Sequence, residues 1–249
     1  MERYIVTPNL PNGKVNRVIS SSSSFKILYK SLKNLGIDSI KIDSCMNLLP
    51  QISDHADMQV CYMGEGLFIC AKNGNLNINL ENSKIIYTNR ELNSKYPADI
   101  LLNTAIVGKY AICNKKNTSE EVIEILQQKN INIIDVKQGY GKCSVCIVSD
   151  NAIITEDESI HINAIKNRID SLLIKKGYVN LPGFDYGFIG GATGKINKDL
   201  LSFTGTIDHH PNKEEILNFL KKYNVKPIFL TDRKIFDIGS IIPITEILT

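Results

Sequence analysis

The sequence predicts an α/β fold in which five strand–strand–helix–strand units follow one another and close into a ring. Three observations predict it. Apolar residues recur at helical spacing in four segments, and each segment leads through a polar turn into a short apolar strand. A strand pair precedes each helix, and these pairs return at a nearly fixed interval. One strand at each end of the chain is left without a neighbour of its own.

Four helices are predicted, each starting near a side chain that can cap it. They span residues 22–35, 119–129, 158–169 and 213–223. A serine precedes the apolar residues of the first helix, and acidic residues occupy the first turn of the second. Thr155 and Glu158 have the spacing of a capping box at the third helix. Asn212 and Glu215 have the same spacing at the fourth helix. A capping box therefore marks the predicted start of the third helix and that of the fourth.

A short apolar strand follows each helix after a polar turn. These strands are predicted at residues 37–43, 131–137, 170–176 and 225–231. A fifth strand of this type, residues 84–88, follows the irregular stretch GNLNINLENS, where a helix is expected. This unit is therefore predicted to have lost its helix.

The strand pairs ahead of the helices reveal the repeat. Taking Asp57, Asp99, Cys143 and Ile189 as equivalent positions, successive units are 42, 44 and 46 residues apart, which is the signature of a repeat architecture. The C-terminal stretch FDIGSIIPITEIL supplies one strand, and the N-terminal strand, helix and strand complete its unit. Pairing of the two termini would remove an open sheet edge. We therefore expect residues 1–249 to form one closed domain.

Bulk composition narrows the function classes. The chain has 29 Lys and Arg against 26 Asp and Glu, and no basic run exceeds two residues, which argues against nucleic-acid binding. It has no apolar stretch long enough for a membrane span, and its start does not resemble a signal peptide. We therefore expect a cytoplasmic protein without membrane contact, whose six cysteines are free and mostly buried thiols.

The unit order and the terminal closure resemble the pentein superfamily, whose fold is a five-bladed α/β propeller of ββαβ repeats. The strings QGYGKCSVCIV, GFDYGFIGGATGK and DIGSIIPI look like an uncharacterised bacterial family near its enzymes. That superfamily includes guanidino-group-modifying enzymes: arginine and agmatine deiminases, dimethylarginine hydrolases and amidinotransferases. It also includes a non-enzymatic ribosome anti-association factor. The resemblance implies a reaction centre on the ring's axis.

The chemistry of these enzymes implies the catalytic residues. A cysteine thiolate attacks a guanidinium or amidine carbon, and a histidine carries protons to or from the leaving amine. The enzymes place a His-x-Asp on a central strand and a glycine-led cysteine two units later. Here His55-Ala56-Asp57 and Gly139–Ser144 match, which makes Cys143 the predicted nucleophile and His55 the predicted proton carrier. Strand alternation would put His55 and Asp57 on one side.

Polar residues at the starts of the strand pairs are predicted to bind substrate at the centre. Carboxylates hold a cationic group through paired hydrogen bonds. The predicted substrate-binding residues are Asp57, Asp99, Asn103, Asp185, Tyr186 and Asp237. We expect no cofactor and no metal, because Asp208-His209-His210 lacks a further ligand at zinc spacing and is interpreted as a polar loop.

Each candidate also has a plainer interpretation. Cys143 is alternatively a buried structural thiol, His55 a hydrogen-bonded surface residue and Asp99 a strand-entry cap after Pro97. The glycines at 187–191 are interpreted as a tight turn near the centre rather than a phosphate loop. Lys142 is expected to face away from Cys143, because neighbouring strand residues point to opposite faces.

Two functions are predicted. The first is a pentein-type enzyme, a hydrolase or amidinotransferase, acting on a C–N bond of a guanidino, amidino or amide substrate through a cysteine. The alternative is a non-catalytic protein that binds a small ligand or a ribosome-related partner. The superfamily's enzymes carry their cysteine in the last unit, where this chain has Asp237-Ile238-Gly239-Ser240, which favours the alternative. A small substrate or ligand is expected to be cationic, and neither function predicts an oligomeric state.

Overall fold

The computed structural model describes residues 1–248 and divides them among five small sheets. Four sheets have three strands, and the sheet that contains both termini has four. The five predicted units are therefore confirmed. Within residues 1–248, none of the helices combines the length and the apolar character needed to cross a bilayer.

The first two sheets contain the N-terminal third of the chain. The first has β1 (Glu2–Tyr4), β2 (Lys14–Ser21) and β3 (Asp38–Ile42), with helix α1 (Ser22–Asn34) between β2 and β3. The second follows the one-turn helix α2 (Ala56–Gln59) and has β4 (Val60–Tyr62), β5 (Leu67–Cys70) and β6 (Lys84–Tyr87). Within the described residues no helix joins β5 to β6, as the irregular stretch predicts.

The remaining units keep the full pattern. The third has β7 (Ala105–Val107), β8 (Tyr110–Cys113), α3 (Glu120–Gln128) and β9 (Asn132–Asp135). The fourth has α4 (Gly141–Ser144), β10 (Val145–Ser149), β11 (Ala152–Thr155), α5 (Glu158–Lys166) and β12 (Asp170–Leu173). The fifth has β13 (Thr193–Asn197), β14 (Leu200–Phe203), α6 (Lys213–Lys222) and β15 (Lys226–Phe229). Strand β16 (Ile242–Ile247) returns to the first sheet.

Strand pairing follows one rule in every unit. The first two strands are antiparallel, as in Cys146 opposite Ile154, and the third is parallel to the second, as in Ile154 beside Leu172. In the first sheet β16 lies between β1 and β2, with Glu2 opposite Ile247. The chain termini therefore pair, and the predicted closure of the ring is confirmed.

Two predicted capping side chains, those of Thr155 and Asn212, do not cap their helices. Asp157, not Thr155, caps α5, because its side chain accepts a hydrogen bond of 2.8 Å from the Ile160 backbone N–H. The Asn212 side chain makes no capping bond at α6. It accepts instead from the Lys175 backbone N–H at 2.9 Å and so ties two parts of the chain together.

The apolar core is divided among four clusters, and each combines side chains of two or more units. All six cysteines are free and buried, in agreement with the sequence. Packing is close where the short helical turns meet. A β-carbon on Gly190 would lie 2.5 Å from the carbonyl oxygens of Lys142 and Val145, so α4 and the turn before β13 touch through backbone. The starts of the first strands thus converge on one point.

Candidate active site

The predicted catalytic residues lie at one-turn helices rather than on strands. His55 directly precedes α2 without a capping side-chain hydrogen bond, Asp57 lies inside α2, and Cys143 lies inside α4. The prediction that strand alternation aligns His55 with Asp57 is therefore wrong. Each one-turn helix directly precedes a strand and satisfies backbone hydrogen-bonding groups there. In α4, for example, the Ser144 N–H donates a hydrogen bond of 2.9 Å to the Tyr140 carbonyl oxygen.

A cavity of about 250 Å³ opens where these turns converge. His55 and Cys143 both line it, together with Asp237 from the segment before β16. Asp185 and Tyr186 line it as well, and Asp185 is exposed. Five of the predicted site residues therefore share one cavity, although they come from separate units of the ring.

The other three predicted residues, Asp57, Asp99 and Asn103, are buried and do not line this cavity. The Asp57 carboxylate accepts a hydrogen bond of 2.7 Å from the Ser240 hydroxyl. The Asp99 carboxylate accepts one of 2.6 Å from the Tyr140 hydroxyl. Both carboxylates are thus hydrogen-bonded to side chains of the protein behind the cavity wall, and their predicted contact with a substrate stays a prediction.

Asn103 holds the helix that carries Cys143. Its side-chain oxygen accepts from the backbone N–H of Lys142 at 2.7 Å and from that of Cys143 at 3.1 Å. Its amide nitrogen lies 3.1 Å from the Cys143 sulfur, to which it can donate. Asn103 is thus a positioning residue for the predicted nucleophile. The sequence identified it as central without indicating this contact.

Asp237 is fixed by two backbone donors. One carboxylate oxygen accepts from Gly239 N–H and the other from Phe188 N–H, both at 2.9 Å. Glycines leave the space that it fills, because a β-carbon at Gly191 would lie 2.0 Å from the carboxylate. The sequence-based interpretation of this glycine cluster as a tight central turn fits that contact.

Burial governs the protonation of the three polar groups in the cavity. It lowers the pKa of His55, although the charge of Asp57 acts in the opposite direction. It raises the pKa of the Cys143 thiol well above its usual range, and the carboxylates of Asp57 and Asp237 add to this effect. It also raises the pKa of Asp237 to about 6, against its two backbone donors. At neutral pH the cavity is therefore lined by a neutral imidazole, a protonated thiol and a carboxylate.

His55 and Asp237 are in contact without a hydrogen bond. The His55 Nδ1 atom lies 3.8 Å from the nearer Asp237 oxygen, which exceeds hydrogen-bond distance. Because burial keeps His55 neutral, this contact is not an ion pair at neutral pH. The arrangement leaves the Asp237 carboxylate free to attract a different positive charge that enters the cavity.

Lys142 is a central residue that the sequence analysis placed wrongly. Its ammonium is buried and donates a hydrogen bond of 2.9 Å to the hydroxyl of Ser240, which in turn donates to Asp57. Residues of a helical turn do not alternate between two faces, so the strand-based expectation fails. Burial lowers the pKa of Lys142, and the charge of Asp57 partly restores it. This chain of contacts links three units at the ring's centre.

Aromatic side chains form much of the cavity wall, and Tyr186 is the one among them that was predicted from the sequence. Tyr140 and Phe188 stack with ring centroids 5.9 Å apart, and Tyr186 meets Phe188 edge to face at 6.0 Å. Phe184 also lines the cavity. The signal was present in GFDYGFIGG, where aromatics alternate with turn residues. Aromatic faces beside a carboxylate favour a cationic or planar ligand.

The described residues offer no ready-made metal centre. Nowhere in the range 1–248 do three or more His, Cys, Asp or Glu side chains group so as to hold a metal ion. His209 and His210, next to Tyr178, are instead part of a packed loop in which their rings contact that tyrosine.

Comparison with known proteins gives a family and a fold. The model of a protein family described as Family of unknown function (DUF6873) matches residues 18–242. No curated protein matches the chain in sequence.

Solved structures match over most of the chain. DDAH from Pseudomonas aeruginosa, complexed with citrulline, has a TM-score of 0.54 at 10% identity, covering 92% of this chain and 96% of that one. The inosamine-phosphate amidinotransferase from Streptomyces griseus has a TM-score of 0.54 at 10% identity, covering 92% of both chains. Agmatine deiminase from C. jejuni, with substrate bound, has a TM-score of 0.53 at 12% identity, covering 98% and 96%. The chain therefore has the fold of these solved structures, which is the five-unit pentein fold that the sequence predicts.

Proposed function

We propose that this chain, which belongs to the Family of unknown function (DUF6873), is an enzyme that cleaves a C–N bond of a guanidino, amidino or amide substrate. The observation that carries the proposal is the meeting of Cys143, His55 and Asp237 in one cavity. A nucleophile, a proton carrier and a carboxylate are the groups this reaction needs. Solved structures with the same fold, an amidinotransferase and a deiminase among them, support the same reaction class.

The cavity wall suits a planar cation. Asp237 supplies a carboxylate for paired hydrogen bonds to a guanidinium group, and its two backbone donors keep it in place. Tyr140 and Phe188 present aromatic surface in the same cavity. A volume of about 250 Å³ accommodates such a group together with part of its chain.

Cleavage proceeds in two steps in this proposal. His55, neutral because it is buried, accepts the thiol proton of Cys143. The sulfur then bonds to the central carbon of the substrate, the C–N bond to the leaving amine breaks, and His55 returns the proton to that amine. A water molecule or an acceptor amine next attacks the same carbon and breaks the C–S bond, and the proton that it loses returns through His55 to the Cys143 sulfur. Attack by water makes the enzyme a hydrolase, and attack by an amine makes it an amidinotransferase.

Substrate binding activates the thiol in this mechanism. Burial and two carboxylates raise the pKa of Cys143 in the empty cavity. A bound cation adds a positive charge close to the sulfur, which favours the thiolate and lowers that pKa. Thiolate formation is thereby coupled to the presence of a substrate, and a free enzyme reacts slowly with general alkylating agents.

The test combines turnover with a cysteine variant. Agmatine, arginine and methylated arginines are offered as substrates, and release of the amine and formation of the ureido or transferred product are measured. The Cys143→Ala variant is expected to keep its fold and to bind the active compound, but to lose at least about a thousandfold in turnover. Cys146→Ala is the matched control, because Cys146 is also buried but does not line the cavity. Unchanged turnover in Cys143→Ala would eliminate the cysteine mechanism.

One observation favours the alternative, a protein that binds a cation without reacting. Burial keeps the thiol of Cys143 protonated. In the last unit, where the superfamily's enzymes carry their cysteine, this chain has the stretch Asp237-Ile238-Gly239-Ser240 and no cysteine. Under this alternative, guanidinium compounds raise the melting temperature of the wild type and of Cys143→Ala equally, and no product forms with any of them.

A further inference from the structure

We propose a second binding site, for a phosphate-bearing small molecule, at the end of the ring opposite to the Cys143 cavity. A cavity of about 580 Å³ lies there. Strand β10 begins directly after the helix that carries Cys143 and ends at a hairpin turn containing Asp150, which lines this second cavity. Gly108 and Lys198, from the hairpin turns of two further units, also line it. The two cavities are therefore separated by the length of the strands.

Lys195 is the central feature of this cavity. It lies on β13 and lines the cavity although only 5% of the residue is exposed. Its ammonium donates one hydrogen bond of 2.9 Å, to the carbonyl oxygen of Val148, where the pairing of β10 with β11 is irregular. An ammonium has three N–H donors, and within residues 1–248 this is its single hydrogen bond. Two donors of a buried cation are thus available to a ligand.

Lys195 also has no paired carboxylate. None of the ion pairs among the described residues includes it. Burial accordingly lowers its pKa to about 8, although the more distant charges of Asp150 and Asp199 act in the opposite direction. Burying an uncompensated ammonium is costly, and a neutral donor would serve the Val148 carbonyl equally well. An anion in the cavity would compensate this charge.

The rim of the cavity adds further positive charge. Lys109, Lys129 and Lys198 line it, whereas Asp150 is the one carboxylate side chain in its lining. Lys129 pairs with Glu65 at 2.9 Å, but Lys109 and Lys198 have no ion pair within the described residues. Three uncompensated ammonium groups around one concavity suit a multivalent anion, and lysine binds phosphate as a point charge.

The shape of the cavity favours a small molecule over a nucleic acid. Its volume lies within the range of small-molecule pockets. The positive charge is concentrated around one concavity, and the chain carries 29 basic against 26 acidic residues, without the broad basic surface that a polynucleotide backbone requires.

The test measures anion binding by isothermal titration calorimetry with pyrophosphate, inorganic phosphate and acetate. Pyrophosphate is expected to bind with a Kd below about 1 mM, phosphate more weakly, and acetate not measurably. Lys195→Met should weaken pyrophosphate binding at least about tenfold, and the exposed Lys198→Gln about threefold. Lys26→Gln is the matched control, because Lys26 is an exposed lysine on α1 that does not line the cavity.

Several outcomes would overturn the proposal. They are no heat with pyrophosphate in the wild type, equal affinity in Lys195→Met, or tighter binding of a single-stranded RNA than of pyrophosphate through the same lysines. If Lys195→Met does not fold, the pyrophosphate affinity of the double variant Lys109→Gln, Lys198→Gln is measured instead, because both residues are exposed. Affinity equal to that of the wild type would then overturn the proposal. Cys143→Ala is expected to bind pyrophosphate with the affinity of the wild type. The anion site is therefore tested independently of the proposed catalysis.

Discussion

Three side chains in the central cavity have pKa values that burial shifts in directions useful for one reaction. Burial keeps His55 neutral, so in the proposed reaction it can accept a proton, and burial also keeps the Cys143 thiol protonated. Asp237 has a pKa of about 6 and is therefore mostly charged at neutral pH. The low dielectric of the cavity strengthens the attraction between this carboxylate and an entering cation.

Cation binding should depend on pH through Asp237. Below about pH 6 this carboxyl is protonated and uncharged, so we expect agmatine to bind more tightly as the pH rises through 6. His55 acts in the same direction, because loss of its proton removes a competing positive charge. Calorimetry across this range tests the prediction, and Asp237→Asn should abolish most of the pH dependence. Binding that is flat with pH, or tighter in acid, would contradict it.

The elements differ in how far the sequence could predict them. The four long helices and their following strands lie within a few residues of their predicted positions, because many apolar residues at a regular spacing specify each one. The one-turn helices α2 and α4 escaped prediction, since four residues carry too little periodicity. They nevertheless orient His55 and Lys142. The sequence thus predicted that His55 and Cys143 lie at the centre of the ring, where both line the cavity. It did not predict the central position of Lys142 or the aromatic side chains of the cavity wall.

The segment before β16 depends on a glycine at position 239. Gly239 has a φ of +71°, and a β-carbon there would lie 2.3 Å from the β-carbon of His55. Gly239→Ala should therefore lower the free energy of unfolding by about 2 to 4 kcal/mol and displace His55 from the cavity. Urea denaturation measures the first effect, and loss of agmatine binding measures the second.

Gly177→Ala provides the control for this prediction. Gly177 also has a positive φ, of +98°, but nothing lies within 4 Å of the position its β-carbon would take. This variant should cost about 1 to 2 kcal/mol from backbone strain and leave ligand binding intact. Equal effects of the two substitutions would show that contact with His55 is unimportant.

On the scale of the whole molecule, the ring is closed where β16 pairs with both β1 and β2, and one buried carboxylate lies at this junction. Strand β1 contributes three residues to its pairing with β16. The Glu246 carboxylate, fully buried, accepts from the backbone N–H groups of Asn12 and Gly13 at 2.6 and 2.8 Å. It also pairs with Arg3 at 2.9 Å. One side chain of the last strand therefore holds two separate pieces of the N-terminal segment.

Replacing Glu246 should weaken the attachment of the N-terminal segment to β16. Glu246→Ala leaves two backbone donors without their acceptor, so we expect the free energy of unfolding to fall by about 3 kcal/mol. Glu246→Gln keeps an acceptor and should cost less. Arg3→Ala removes a half-exposed partner and should cost less than about 1 kcal/mol. Urea denaturation gives the three values, and hydrogen exchange at β1 and β16 should rise selectively in Glu246→Ala. If Arg3→Ala proved as destabilising as Glu246→Ala, the surface ion pair rather than the backbone contacts would close the ring.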